Sequence, residues 1–216
     1  MSLRNALFAL ALFAALAGLV AAGTVSPLDQ WAVNHAMPGA HAGGRPTLLG
    51  ELVPLVRERY RSALDVATNV VAAPASLLLS LAILVVLRRR VWVGAWVAGN
   101  LVEELCKLTL ARPHLYRHGV HLVAFDSSYP SGHTIRALVV ATAVASAWPA
   151  ARRYAAAWAV AVLVLLELDG WHTPSDIVGG MLLAAGLLGL LVDAGQRGER
   201  RAPLPAPDGA NGAGKS

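Results

Sequence analysis

The sequence predicts an all-α protein: a polytopic bundle of six transmembrane helices, with short interfacial helices between the first two spans. Three observations carry this. The chain of 216 residues is 56% hydrophobic and only 14% charged, with a mean hydropathy of +0.55, too little charge to cover a soluble domain of this size. Its apolar residues fall into runs that approach or reach the length needed to cross a bilayer. Its tightest arginine clusters sit in the short segments between those runs, as expected of loops on a cytoplasmic face.

The expected spans are 5–23, 64–87, 91–110, 132–149, 154–170 and 176–194. The first begins after Arg4 and ends at Ala21-Ala22-Gly23, a pattern that also fits a secretory signal peptide. Its length, and the lack of a strong small-x-small site before a soluble domain, favour an uncleaved span. Residues 24–62 are rich in Pro and Gly and include Trp31, Leu48, Leu49, Leu52, Leu55 and Val56, which suits short helices lying on the membrane surface. Residues 1–194 form one transmembrane domain, and 195–216, Gly-, Pro- and Ala-rich, form a disordered cytoplasmic tail.

Orientation follows from Lys and Arg. Arg4, Arg88-Arg89-Arg90, Arg152-Arg153, and Arg197, Arg200, Arg201 and Lys215 all fall on one side of a six-span bundle. That side, with both termini, is expected to be cytoplasmic in the cell's inner (plasma) membrane. Arg45, Arg57, Arg59, Arg61, Arg112 and Arg117 dilute the bias on the other side. The net charge of +5 is therefore a topology signal rather than a nucleic-acid footprint. Cys106 is the single cysteine, so no internal disulfide forms.

This topology brings polar residues from separate segments to the outer face. His172 and Asp176 stand four apart, which stacks them on one face if the last helix begins here. A carboxylate on one ring nitrogen fixes the tautomer and raises the basicity of the other, making the imidazole a nucleophile. A helix-capping Asp beside an interfacial His explains the same pair equally well. Pro130-Ser131-Gly132-His133 opens the fourth span. There Ser131 caps, Gly132 admits an anion close to the backbone, and the helix start favours negative charge. His133 would then protonate a leaving oxygen. Two histidines, one with a carboxylate, beside basic residues suggest phosphoryl transfer through a phosphohistidine.

Lys107 and Arg112 end the third span and are candidate phosphate ligands, with snorkelling to the interface as the plainer explanation. Asn100, Glu103, Glu104 and Lys107 form a polar stripe, and Glu103 is placed to pair with Lys107. Arg136 follows His133 on the same face; an intramembrane Arg is costly and marks either a phosphate ligand or a buried pair, for example with Glu167 or Asp169. Asp65 and Asn69 read as polar packing, and Trp31, Trp148, Trp158 and Trp171 as interfacial anchors or packing.

The intact Pro130-Ser131-Gly132-His133 and the His172-x3-Asp176 pair, followed by Gly179-Gly180, make the chain resemble the type 2 phosphatidic acid phosphatases, integral membrane lipid phosphatases. That family carries Lys-x6-Arg-Pro, Pro-Ser-Gly-His and Ser-Arg-x5-His-x3-Asp. The resemblance implies His172 as nucleophile, Asp176 as its orienting partner and His133 as acid and then base. It further implies Lys107, Arg112, Ser131 and Gly132 as phosphate ligands, and no metal or other cofactor. The sequence departs twice. Only four residues separate Lys107 from Arg112-Pro113, and strict spacing would put the Arg-Pro on His114-Leu115, leaving His114 a possible site residue. The Ser-Arg pair falls on Leu165-Leu166, and Arg136 is the expected replacement cation.

Three functions are in play. The first is a lipid phosphatase of the extracytoplasmic face, acting on an isoprenoid (undecaprenyl) diphosphate of cell-wall synthesis, or on phosphatidic acid or phosphatidylglycerol phosphate. The second is a degenerate relative that binds or moves lipids. The third is a metal site of His133, His172 and Asp176, with His114 as an optional fourth member, whose donors suit zinc. The expected partners are the bilayer and its lipid phosphates, with no nucleic acid and no obligate protein partner.

Overall fold

The computed structural model describes residues 2–40, 62–88 and 90–201. The expectation for 41–61 and for 202–216 lies outside them. The described chain is helical: α1 (Leu3–Ala21), α2 (Ser26–His35), α3 (Ala63–Ala72), α4 (Leu77–Val86), α5 (Arg90–Thr109), α6 (Gly132–Ala147), α7 (Arg152–Leu168) and α8 (Pro174–Arg201). A two-stranded hairpin, β1 (Tyr116–Arg117) and β2 (Val120–His121), lies between α5 and α6.

Serine opens several helices. Ser2, Ser62 and Ser131 each accept a hydrogen bond from a first-turn amide, of Asn5, Asp65 and Thr134 respectively, satisfying one of the donors that a helix start leaves unpaired. α6 lies centrally, packed against α5, α7 and α8, while α1 runs along α8. The main core joins Phe13, Leu84, Trp92, Ile135, Val139 and Leu183 from five of these helices.

Two helices, Leu3–Ala21 and Pro174–Leu191, are long and apolar enough to cross a membrane, and a bent pair from Ala63 to Val86 makes a third. The expected helices are present near their expected limits. The six expected crossings would need shorter or more polar helices as well: α6 has 16 residues and α7 has 17, about 24–26 Å at 1.5 Å per residue. The expected span 64–87 is not continuous. It bends by 40° at a 3₁₀ turn, Ala73–Ala75, because Pro74 has no amide to donate and its ring obstructs a continuing helix. Backbone carbonyls at the break are taken by side chains: Val71 O accepts from Trp158 Nε1 at 2.9 Å, and Ala75 O from Arg136 Nε at 2.8 Å.

The last helix continues to Arg201, past the limit of 194 expected for the sixth span. α2 also differs from a helix merely resting on the surface. Its Asp29, Ala32 and Val33 are buried, and Ala32 and Val33 pack with Leu115, Leu122 and Phe125 of the α5–α6 connector, while Leu28 and Trp31 are exposed.

Candidate active site

The site is built where α6 and α8 begin, roofed by α2 and the α5–α6 connector. Its first determinant is Pro174, suited to the first helical position because its missing amide would be unpaired there anyway. α8 therefore starts after His172, with Thr173 as its cap. The expectation that His172 and Asp176 stack on one helical face corrects accordingly: His172 precedes the helix. Asp176, in the first turn, reaches back so that its Oδ2 accepts from Thr173 N at 3.0 Å, half of a capping box. The capping role and the partnership with His172 coexist. Asp176 Oδ2 lies 3.7 Å from His172 Nδ1, an ion-pair distance rather than a hydrogen bond, and that nitrogen has no hydrogen-bond partner.

His133, at the start of α6, presents its ring 6.1 Å from that of His172, centroid to centroid. Trp171 stands edge-on to His133 at 5.3 Å. Both histidines are almost buried, each 8% exposed, and Asp176 is fully buried. The two helix starts are tied directly, Ser131 N donating to Asp176 O at 3.0 Å. Ser131 Oγ, expected to cap and to bind phosphate, is the acceptor for both Thr134 N and Thr134 Oγ1.

Arg112 is the buried hub. Its Nη1 donates to Asp176 Oδ1 at 2.9 Å and lies 3.3 Å from Ser128 Oγ and 3.4 Å from Thr173 Oγ1. Its Nη2 donates to Asp29 Oδ2 at 2.7 Å. Asp29 was invisible to sequence reasoning, since one acid on a short amphipathic helix reads as a solvated face. It is fully buried, and it also accepts from Ser175 N and Ser175 Oγ. Burial pushes its carboxyl above the usual value and the Asp176 charge adds to this, against the Ser175 hydroxyl and Arg112, which lower it. Ser128 completes the group, its hydroxyl donating to Asp176 Oδ2 at 2.6 Å.

A second charged group lies on the α5 side. The Glu103 carboxylate joins Lys107 Nζ at 2.5 Å and Arg136 Nη1 at 3.2 Å. Arg136 Nη1 also donates to Asn100 Oδ1 at 2.7 Å. The expected Glu103–Lys107 pair is present. Arg136 pairs with Glu103 rather than with Glu167 or Asp169. At Gly132 a Cβ would strike the Glu103 carboxylate, so only glycine lets α5 and α6 approach so closely. Leu166 is buried in an apolar cluster with Ala72, Ala75, Ala137 and Val162, beside the Ala75 carbonyl that holds Arg136.

His114 is not part of this centre. Its Nδ1 lies 3.0 Å from Asp126 Oδ1, and His121 Nε2 lies 2.8 Å from the same oxygen. His114, the optional fourth member of a metal set with His133, His172 and Asp176, therefore lies apart from them. The connector's polypeptide carries His114 to the outer side of the hairpin instead.

Apolar helices enclosing a paired-histidine centre, with a buried carboxylate behind one ring, define a helical membrane protein. Residues 91–199 match the PAP2 superfamily; the chain belongs to that superfamily, the type 2 phosphatidic acid phosphatases. The fold is similar to that in the crystal structure of a transmembrane PAP2-type phosphatidylglycerolphosphate phosphatase from Bacillus subtilis. That similarity has a TM-score of 0.60 at 17% identity, covering 92% of this chain and 99% of the other. A comparison with curated proteins found no match.

Proposed function

We propose that the chain is a membrane lipid phosphatase that works through a phosphohistidine on His172. The observation that carries this reading is the meeting of His133 and His172 at 6.1 Å, from two separate helix starts, with Asp176 behind His172. Asp176 faces the Nδ1 edge of His172 and favours a proton there, leaving Nε2 to attack phosphorus. The phosphorus–oxygen bond to the leaving lipid alcohol or phosphate breaks as the nitrogen–phosphorus bond forms. His133 gives its proton to the departing oxygen. It then takes a proton from water, which attacks the phosphohistidine and releases phosphate.

Lys107, Arg112, Ser131 and Gly132 are the proposed phosphate ligands, and Arg136 replaces the cation that Leu166 does not supply. Supporting the last assignment, Leu166 and Ala75 share one cluster and Arg136 is anchored on Ala75. For Arg112 to bind phosphate directly, Asp29 or Asp176 must yield one of its hydrogen bonds. As the chain stands, Arg112 chiefly fixes Asp176.

The proposed substrate is a lipid phosphate whose headgroup enters at the extracytoplasmic face of the inner membrane, the face that the arginine distribution favours. An isoprenoid diphosphate is the first candidate. Phosphatidylglycerol phosphate, the substrate class of the similar Bacillus subtilis protein, and phosphatidic acid are equal alternatives. No metal takes part in the proposed chemistry.

The test is phosphate release by detergent-purified protein with chelator present, from an isoprenoid diphosphate, phosphatidic acid and phosphatidylglycerol phosphate. His172→Ala is the control. Release that survives chelation and vanishes in His172→Ala supports the reading, and the ranking identifies the lipid. A folded protein that releases nothing from any of the three would instead be a lipid-binding relative.

A further inference from the structure

The α5–α6 connector holds a second cluster of side chains, for which phosphoryl transfer has no use. We propose that His114, His121 and Asp126 form a binding site for one divalent transition-metal ion, zinc first among them, on the hairpin beside the active site. This inference stands on the hairpin's own geometry and is independent of the phosphatase reading.

The three ligand atoms converge. His114 Nδ1, His121 Nε2 and Asp126 Oδ1 all lie within 4.8 Å of one another. The two nitrogens stand 3.0 and 2.8 Å from the carboxylate oxygen. A tetrahedral zinc with ligands at about 2.0–2.1 Å separates its ligand atoms by about 3.3 Å. The two nitrogen–oxygen separations therefore need to open by only a few tenths of an ångström to admit the ion. Two imidazoles and a carboxylate suit zinc, with water as the remaining ligand.

The backbone holds these residues in place beforehand. Residues Tyr116 and His121 are cross-strand partners, and Leu122 N donates to Leu115 O at 2.9 Å, extending the pairing toward His114. His118 and Gly119 close the turn with φ of 50° and 78°, the left-handed pair of a tight hairpin. Alternation along the strands turns Leu115 and Leu122 inward, both 1% exposed, and leaves His114 and His121 on the outer side. Asp126 follows a 3₁₀ turn anchored by buried Phe125. His121 is flanked by the rings of His114 at 4.2 Å and Tyr116 at 5.6 Å. The His114 side chain is 57% exposed, which gives an ion a way in.

A bound ion would tie positions 114, 121 and 126 together, bracing a connector whose ends supply Arg112 and Ser128 to the active centre.

The test is a zinc titration by calorimetry on the full-length, chelator-treated protein in detergent, purified without a polyhistidine tag. One zinc per chain is expected, with a rise in melting temperature. His121→Ala, Asp126→Asn and the exposed-site variant His114→Ala should each bind on the order of tenfold more weakly or worse. His118→Ala and His172→Ala should bind as the wild type does. Melting without zinc identifies any variant that fails to fold, and His114→Ala, at the most exposed position, then decides the matter. No zinc uptake by the wild type, or undiminished uptake by His114→Ala, would overturn the proposal. So would uptake lost in His172→Ala, which would put the metal in the active centre.

Discussion

Arg112 Nη2 donates to Asp29 Oδ2 at 2.7 Å across 83 residues of sequence, while the same guanidinium holds Asp176 through Nη1. A short helix before the second span thereby reaches the acid behind the proposed nucleophile. Asp29→Asn keeps the size of the side chain but removes the charge that Arg112 leans on. The expected outcome is a clear loss of kcat with folding retained. Asp29→Ala should in addition lower stability by about 3–5 kcal/mol, the cost of stripping one partner from a buried ion pair. Phosphate release and thermal melting in detergent check both; wild-type kcat in Asp29→Asn would show that Asp29 only packs.

Asp29 also sets a pH dependence. Its carboxyl is raised above 3.8 by burial, with the Asp176 charge adding to it, so the folded protein holds that proton more tightly than the unfolded chain does. The stability contributed by the protonated form is complete below 3.8 and is lost as pH rises through the raised folded value. As pH rises from 3.8 through that raised value, the melting temperature of the wild type should fall relative to that of Asp29→Asn. Parallel melting curves would remove the effect from Asp29.

Gly132→Ala should be damaging out of proportion to one methyl group. The added carbon meets the Glu103 carboxylate, and overpacking of this kind costs about 1–3 kcal/mol. Relief requires α6 to shift, which carries His133 away from His172. The expected result is a lower melting temperature together with a larger fall in kcat than in KM affinity.

Arg136 and Glu103 separate binding from framework. If Arg136 supplies the cation missing at Leu166, Arg136→Ala should lose activity by at least tenfold, about 1.4 kcal/mol in the transition state, and Arg136→Lys should recover part of it. Full activity in Arg136→Ala, with His172→Ala dead, would end that assignment. Glu103→Gln should loosen both Lys107 and Arg136 and raise KM before it affects kcat.

The helices were legible because apolar runs and serine caps are local signals, and the expected spans lie close to α1 and α5–α8. What local pattern misses is long-range pairing. Pro74 was visible in the sequence, yet a proline inside an apolar run does not by itself distinguish a kink from a break. Here Arg136 and Trp158 stabilise the break by donating hydrogen bonds to its freed carbonyls. The centre was readable in its histidines because Pro130–His133 and His172–Asp176 are contiguous motifs. Asp29, Ser128 and the Glu103–Gly132 contact were not, since each depends on a neighbour far away in the chain. His114 was drawn toward the wrong histidines because spacing along a sequence does not say which side of a hairpin a residue occupies.

The packing of α1 along α8, so close that a Cβ at Gly186 would run into Leu10, has a consequence for biosynthesis. α1 leaves the ribosome well before its lasting neighbour, α8. Until α8 arrives, the chain also lacks His172, Asp176 and the Ser175 contact that fixes Asp29. The proposed centre is thus withheld until α8 has been made, and a chain that stops short of it leaves one apolar helix without its mate.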